Sequence, residues 1–147
     1  MENSEIIASL PYTEPFLFVD SLQKINSEGV EGRFTFREDL PFYRGHFKGQ
    51  PITPGVLLTE CCAQIGLACL GIYLGSIEGR DSGSFALSSS EMEFYLPVYP
   101  GERVNVHSQK VYFRFNKLKC SVRMYNHAKQ LVCKGEIAGM LLRGKHE

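Results

Sequence analysis

The sequence predicts an α+β fold: a strongly curved antiparallel sheet wrapped around one long central helix. Three observations carry this expectation. From residue 54 to about residue 75 the chain is apolar on almost every side, with Glu60 its only carboxylate and Gln64 its only amide. A helix of that kind has to be covered all round. Alternating stretches before and after it give the order strand, strand, helix, then a meander of long strands. No repeat, low-complexity tract or linker divides the 147 residues, a length that suits a single domain over 1–147 with a full core.

Each element has a local reason. Residues 3–9 suit a short helix, capped by Asn3 or Ser4 and broken at Leu10-Pro11-Tyr12. Phe16-Leu17-Phe18-Val19 is a continuous apolar run, read as the start of a buried strand that reaches about Asn26. Glu28-Gly29 turns the chain. Residues 30–37 then alternate, with Phe34 and Phe36 on one face and Arg33, Thr35 and Arg37 on the other. Residues 41–48 form a loop or short 3₁₀ turn. Pro54 falls where a helix can begin, because the first helical N–H has no intrahelical partner to lose. A polar, glycine-containing connection over residues 79–83 leads into strands over 84–96, 102–116, 117–125 and 130–142. The apolar phase slips between Val106 and Val111, which predicts a bulge. Asn126-His127-Ala128-Lys129 makes the last turn.

Composition narrows the function. Sixteen Lys and Arg balance sixteen Asp and Glu, and the pI is about 6.9. General nucleic-acid binding needs a basic surplus, so it is not expected. Five cysteines are present, an odd number with no C-x-x-C pair. They read as reduced core residues of a cytoplasmic protein rather than as a disulfide or zinc framework. Residues 1–10 lack a basic n-region and a long apolar run, so no signal peptide is expected. The apolar stretch over residues 56–74 approaches membrane-spanning length, but Glu60, Gln64 and its glycines favour a buried helix, and no membrane span is expected.

The candidate chemistry centres on His46 and Glu60. His46 lies in a Gly45-His46-Phe47 loop just ahead of the helix, and it is the imidazole nearest in sequence to Glu60. A carboxylate on an apolar helix is expensive to bury without a role or a partner. The two are read as an acid/base pair. Gln64, one turn beyond Glu60, is placed to orient the carboxyl or to satisfy the core. His107, His127 and His146 fall on strand, turn and tail, where surface placement is the simpler reading. Ser88-Ser89-Ser90 lacks the Gly-x-Ser-x-Gly elbow of a nucleophilic serine.

Taken together, Leu10-Pro11, Pro15-Phe16-Leu17-Phe18-Val19-Asp20, Gly45-His46-Phe47, Pro51, Pro54-Gly55, Glu60 and Ala63-Gln64 resemble the β-hydroxyacyl-acyl-carrier-protein dehydratases of FabZ/FabA type. Phe94, Pro97-Val98 and Pro100-Gly101 match a later motif of the same family, so the resemblance spans roughly residues 10 to 105. It implies a hot-dog fold and a homodimer, often assembled further into a trimer of dimers. It implies acyl carrier protein as partner, and no metal or other cofactor. It carries the catalytic histidine onto His46 and the catalytic carboxylate onto Glu60; glutamate here is like FabZ, where the FabA branch uses aspartate. Tyr12 stands where a histidine is usual after Leu-Pro, Ser21 replaces a basic residue, Lys48-Gly49-Gln50 departs from the commoner loop, and Tyr95-Leu96 replaces a basic pair.

Dehydration requires a base for the proton beside the thioester carbonyl, stabilisation of the enolate-like charge, and an acid for the departing hydroxyl. An imidazole suits the base. A carboxyl on an apolar helix, its pKa raised by burial, suits the acid. The free N–H groups of Gly55 and Val56 at the helix N-terminus are expected to bind the thioester oxygen. Arg44 and Lys48 flank the histidine loop and are candidates for docking an acidic carrier protein. Two other readings stand beside this one: a hot-dog acyl thioesterase, and a non-catalytic carrier-protein-binding subunit.

Overall fold

Alternation sets the sheet, and the helix fills its concave side. The computed structural model describes residues 1–79 and 84–142. Residues 80–83 of the expected polar connection, and His146, lie outside the described residues. In chain order the elements are α1 (Asn3–Ala8), β1 (Ser21–Asn26), β2 (Gly29–Thr35), a 3₁₀ turn (Pro41–Arg44), the central helix (Gly55–Ile77), β3 (Ser84–Phe94), β4 (Arg103–Arg114), β5 (Lys117–Asn126) and β6 (Leu131–Leu142). The six strands form one sheet in the order β1-β2-β4-β5-β6-β3, and every neighbouring pair is antiparallel.

The inward positions are those the alternation predicts. Leu118, Cys120, Val122 and Met124 of β5 are buried, as are Val104 and Val106 of β4. The β4 register shifts between Lys110 and Tyr112, which makes Val111 the extra residue of the expected bulge. Phe18, Phe34 and Phe36 pack together, the Phe34 and Phe36 rings edge-to-face at 4.8 Å. Burying a phenylalanine is worth about 1.5–3 kcal/mol. All five cysteines are free and buried. Burial holds the Cys69 thiol up to about 12, so it stays protonated and behaves as a small hydrophobe.

The helix sits close against the sheet through its glycines. A Cβ on Gly71 would lie 2.2 Å from the Phe85 ring, so only glycine fits. Between Gln64 and Cys69 the helix widens into a π turn. There Ser108 Oγ donates to the Gly66 carbonyl at 2.9 Å, taking up a helix acceptor from the sheet side. Gly55–Ile77 is long and apolar enough to cross a membrane, but 72% of its most apolar window is buried inside the chain, so it serves as the core helix.

Two local expectations need correction. The run Phe16 to Val19 is not a strand. Its backbone groups bond to helix side chains instead: the Phe18 N–H donates to Gln64 Oε1, Gln64 Nε2 donates to the Phe16 carbonyl, and Cys61 Sγ donates to the Phe18 carbonyl. The N-cap of α1 is Glu2, not Asn3 or Ser4; the Glu2 N–H donates to Glu5 Oε1, while Asn3 Nδ2 reaches across to the Leu22 carbonyl of β1.

Candidate active site

The loop that carries His46 is closed on itself at Ile52. The Ile52 N–H donates to the His46 carbonyl at 2.9 Å, and His46 Nδ1 lies 2.9 Å from the Ile52 carbonyl. A carbonyl only accepts, so Nδ1 carries a proton, and in the neutral ring Nε2 holds the free lone pair. The loop is then fixed from outside. Thr53, next along, donates its N–H to the Val98 carbonyl, and its hydroxyl bonds the buried Tyr43 hydroxyl. The His46 ring stacks on Phe47 with centroids 3.9 Å apart. His46 is half-buried, while Arg44 and Lys48 on either side are exposed. Arg44 shares an open cleft with Glu38 and Asp39.

Pro54 caps the central helix, and the Leu57 and Leu58 N–H groups both turn back to its carbonyl. The N–H groups of Gly55 and Val56 find no acceptor among the described residues. They are the free donors of a helix N-terminus, where the dipole favours negative charge. A cleft of about 290 Å³ opens there, lined by Thr53, Gly55, Leu58, Phe94 and Pro97 among others. Val56 is 77% exposed.

Glu60 lies about 7–9 Å further along the helix axis. It is half-buried, and burial raises its pKa above the ordinary value, against the smaller opposing pull of a hydrogen bond from Gln64. Gln64 is fully buried and fully used: Oε1 accepts from the Phe18 N–H at 2.8 Å, and Nε2 donates to the Phe16 carbonyl and to Glu60 Oε2, each at 3.0 Å. It therefore both satisfies the core and holds the carboxyl. Within one chain no hydrogen bond or ion pair joins His46 to Glu60. Their immediate hydrogen-bond partners belong to different segments, Ile52 for the ring and Gln64 for the carboxyl.

These positions fall inside a match to the FabA-like domain model, which covers residues 10–138. The chain belongs to the FabA-like family. Among curated FabA-like relatives, the 3-hydroxyacyl-[acyl-carrier-protein] dehydratase FabZ of Syntrophobacter fumaroxidans is 29% identical over 147 residues, all of this chain and 98% of that protein. The FabZ of Geotalea uraniireducens is 33% identical over 116 residues, covering 78% of this chain and 79% of its own. The chain is thus a FabZ-like member of the hydroxyacyl-acyl-carrier-protein dehydratase family. Among solved structures, the dehydratase heterocomplex ApeI:P from Xenorhabdus doucetiae matches with a TM-score of 0.81 at 11% identity, over 98% of this chain and 93% of that one. A hypothetical thioesterase with coenzyme A from Streptococcus pneumoniae matches with a TM-score of 0.64 at 14% identity, over 82% and 84% of the two chains. At those identities the likeness is one of fold, and the fold is the hot-dog fold.

Of the residues singled out in the sequence, Gly55, Val56, Glu60 and Gln64 lie on the central helix and His46 on the loop ahead of it. His107 and His127 are surface residues, facing Glu31 at 3.7 Å and Glu102 at 3.8 Å. Phe16, expected in a buried strand, and Phe94, part of the later motif, are both about half exposed. Sequence reasoning missed the clamp at Ile52 and the Tyr43–Thr53 pin, because backbone acceptors leave no residue-type signature. Among the described residues no three His, Cys, Asp or Glu side chains cluster as metal ligands.

Proposed function

We propose that this chain, acting as one domain, dehydrates β-hydroxyacyl thioesters on acyl carrier protein to trans-2-enoyl thioesters, in fatty-acid or related acyl-chain biosynthesis. The observation that carries the reading is the complementary preparation of two groups. His46 is held through Nδ1 with its other nitrogen free to accept a proton. Glu60 is held by Gln64 where burial favours the neutral carboxyl. Nε2 of His46 takes the proton from the carbon beside the carbonyl. The electron pair moves onto the thioester oxygen, which the Gly55 and Val56 N–H groups receive. The pair then returns to form the double bond as the carbon–oxygen bond breaks. The hydroxyl leaves as water with the proton of Glu60, and the proton on His46 restores the acid. Nothing among the described residues requires glycine at position 55, where an added Cβ would meet Phe94 at 3.5 Å, an ordinary contact. Close approach of a thioester does require it.

The partner is acyl carrier protein, whose acidic surface suits Lys48 and Arg44. The unit is a homodimer in the cytoplasm, with His46 of one chain reaching Glu60 of the other, and a trimer of dimers is the further assembly. The thioesterase neighbours share the fold and supply the competing reading. Incubation with a β-hydroxyacyl thioester on carrier protein separates the two. New absorbance from a conjugated enoyl thioester is the expected result; free thiol instead means hydrolysis, and neither means a binding subunit.

A further inference from the structure

One departure from the family pattern, Tyr12, is linked to Glu60 through Phe16 and Gln64. The turn closed by the Phe16 N–H on the Thr13 carbonyl brings the Tyr12 ring to 6.2 Å from the Phe16 ring. Gln64 fixes this segment on the helix, since the amide that holds Glu60 also holds the Phe16 carbonyl. Tyr12 is half-buried, and Phe16 is 46% exposed. The Tyr12 hydroxyl has no hydrogen-bond partner among the described residues. Burial raises its pKa, and the next contributions come from Glu60 and then Cys69. Through Phe16 and Gln64 the Tyr12 ring is tied to the helix one turn beyond Glu60, on the side away from the helix N-terminus.

That position has a consequence if the substrate lies as the proposed function places it. The thioester end is at Gly55 and Val56, and the β-hydroxyl is at Glu60. The rest of the acyl chain must run on past Gln64, toward Phe16 and Tyr12. We propose that Tyr12 is a specificity-determining residue: with Phe16 it forms the wall met by the acyl chain beyond the reacting carbons, and its hydroxyl discriminates against saturated chains long enough to cover it. A short chain leaves the hydroxyl in water. A long saturated chain strips that water and offers no acceptor, which disfavours binding. A chain with an oxygen at that distance replaces the lost hydrogen bond.

The inference rests on the dehydratase reading, and the test separates the two. Tyr12→Phe keeps the ring and removes only the hydroxyl, which makes no hydrogen bond among the described residues. Turnover is measured for saturated β-hydroxyacyl thioesters of four to sixteen carbons on carrier protein. Tyr12→Phe should raise the ratio of long-chain to short-chain kcat/KM about tenfold, the scale of one hydroxyl left without a partner, through KM rather than kcat. An unmoved ratio overturns the assignment. If neither protein dehydrates any thioester, the function reading fails, and binding decides the role of Tyr12. Titration with unreactive saturated acyl-pantetheine amides should then show Tyr12→Phe tightening the long chains selectively. Equal affinities in the two proteins at every length overturn it.

Discussion

Gln64 makes hydrogen bonds in two directions at once, and this sets how the site responds to pH. Its bond to Glu60 favours the carboxylate, while burial favours the neutral acid and is the larger effect. Replacing Gln64 by Leu removes the smaller opposing effect. On the proposed mechanism the alkaline limb of kcat/KM reports loss of the proton from Glu60, and it should move to higher pH. The same change leaves the buried Phe18 N–H without its acceptor and should cost about 1–3 kcal/mol, read from denaturant unfolding. The raised pKa of Glu60 also has a sign for stability. The folded state holds the proton more tightly than the unfolded one, so the carboxyl is a burden that grows as pH rises from about 4.5 through the folded value. Glu60→Gln should raise Tm at neutral pH, and the gain should vanish once the pH falls below the ordinary glutamate range. A gain that persists unchanged in acid would mean that burial of the charge is not its source.

At the scale of elements, the N-terminus of the central helix is where activity and stability come apart. Gly55→Ala places a methyl group at ordinary contact distance from Phe94 and beside the two free N–H groups. It should leave thermal unfolding almost unchanged and lower kcat/KM by about tenfold or more, since donors aimed at a developing charge act at close range. Equal losses in both would make Gly55 a packing residue. The helix itself was legible in the sequence, because Pro54 marked its start and an apolar run of that length needs a wrapping sheet. Its π turn was not. A helix apolar on all sides looks the same in any phase, so one inserted residue leaves no break in the pattern. The strand expected at Phe16 failed for a related reason. A continuous apolar run does not say where its backbone bonds go, and here the acceptor and donor are on Gln64, far along the chain. The paired alternation of β4, β5 and β6 carried its own faces, and those strands stand where the pattern put them, bulge included.

The whole molecule leaves one end of its sheet open. β3 is an edge strand of 11 residues, mostly exposed, and Phe94, Tyr95, Val56 and Phe47 are exposed near the helix N-terminus. In the proposed homodimer, a long unpaired edge beside apolar side chains is the surface expected to take the second copy. Two-fold pairing there would also bring a second histidine loop toward each Glu60, the shared site of the proposed function. The most direct measurement of this account is complementation. His46→Ala and Glu60→Gln proteins, each expected to lose roughly 10²–10⁴ in rate, are mixed under conditions that exchange subunits. In a mixed dimer one site collects both substitutions and the other neither, so random one-to-one exchange should restore about a quarter of wild-type dehydratase activity. Mixed dimers, verified as such, that remain inactive would contradict a site built from His46 of one chain and Glu60 of the other.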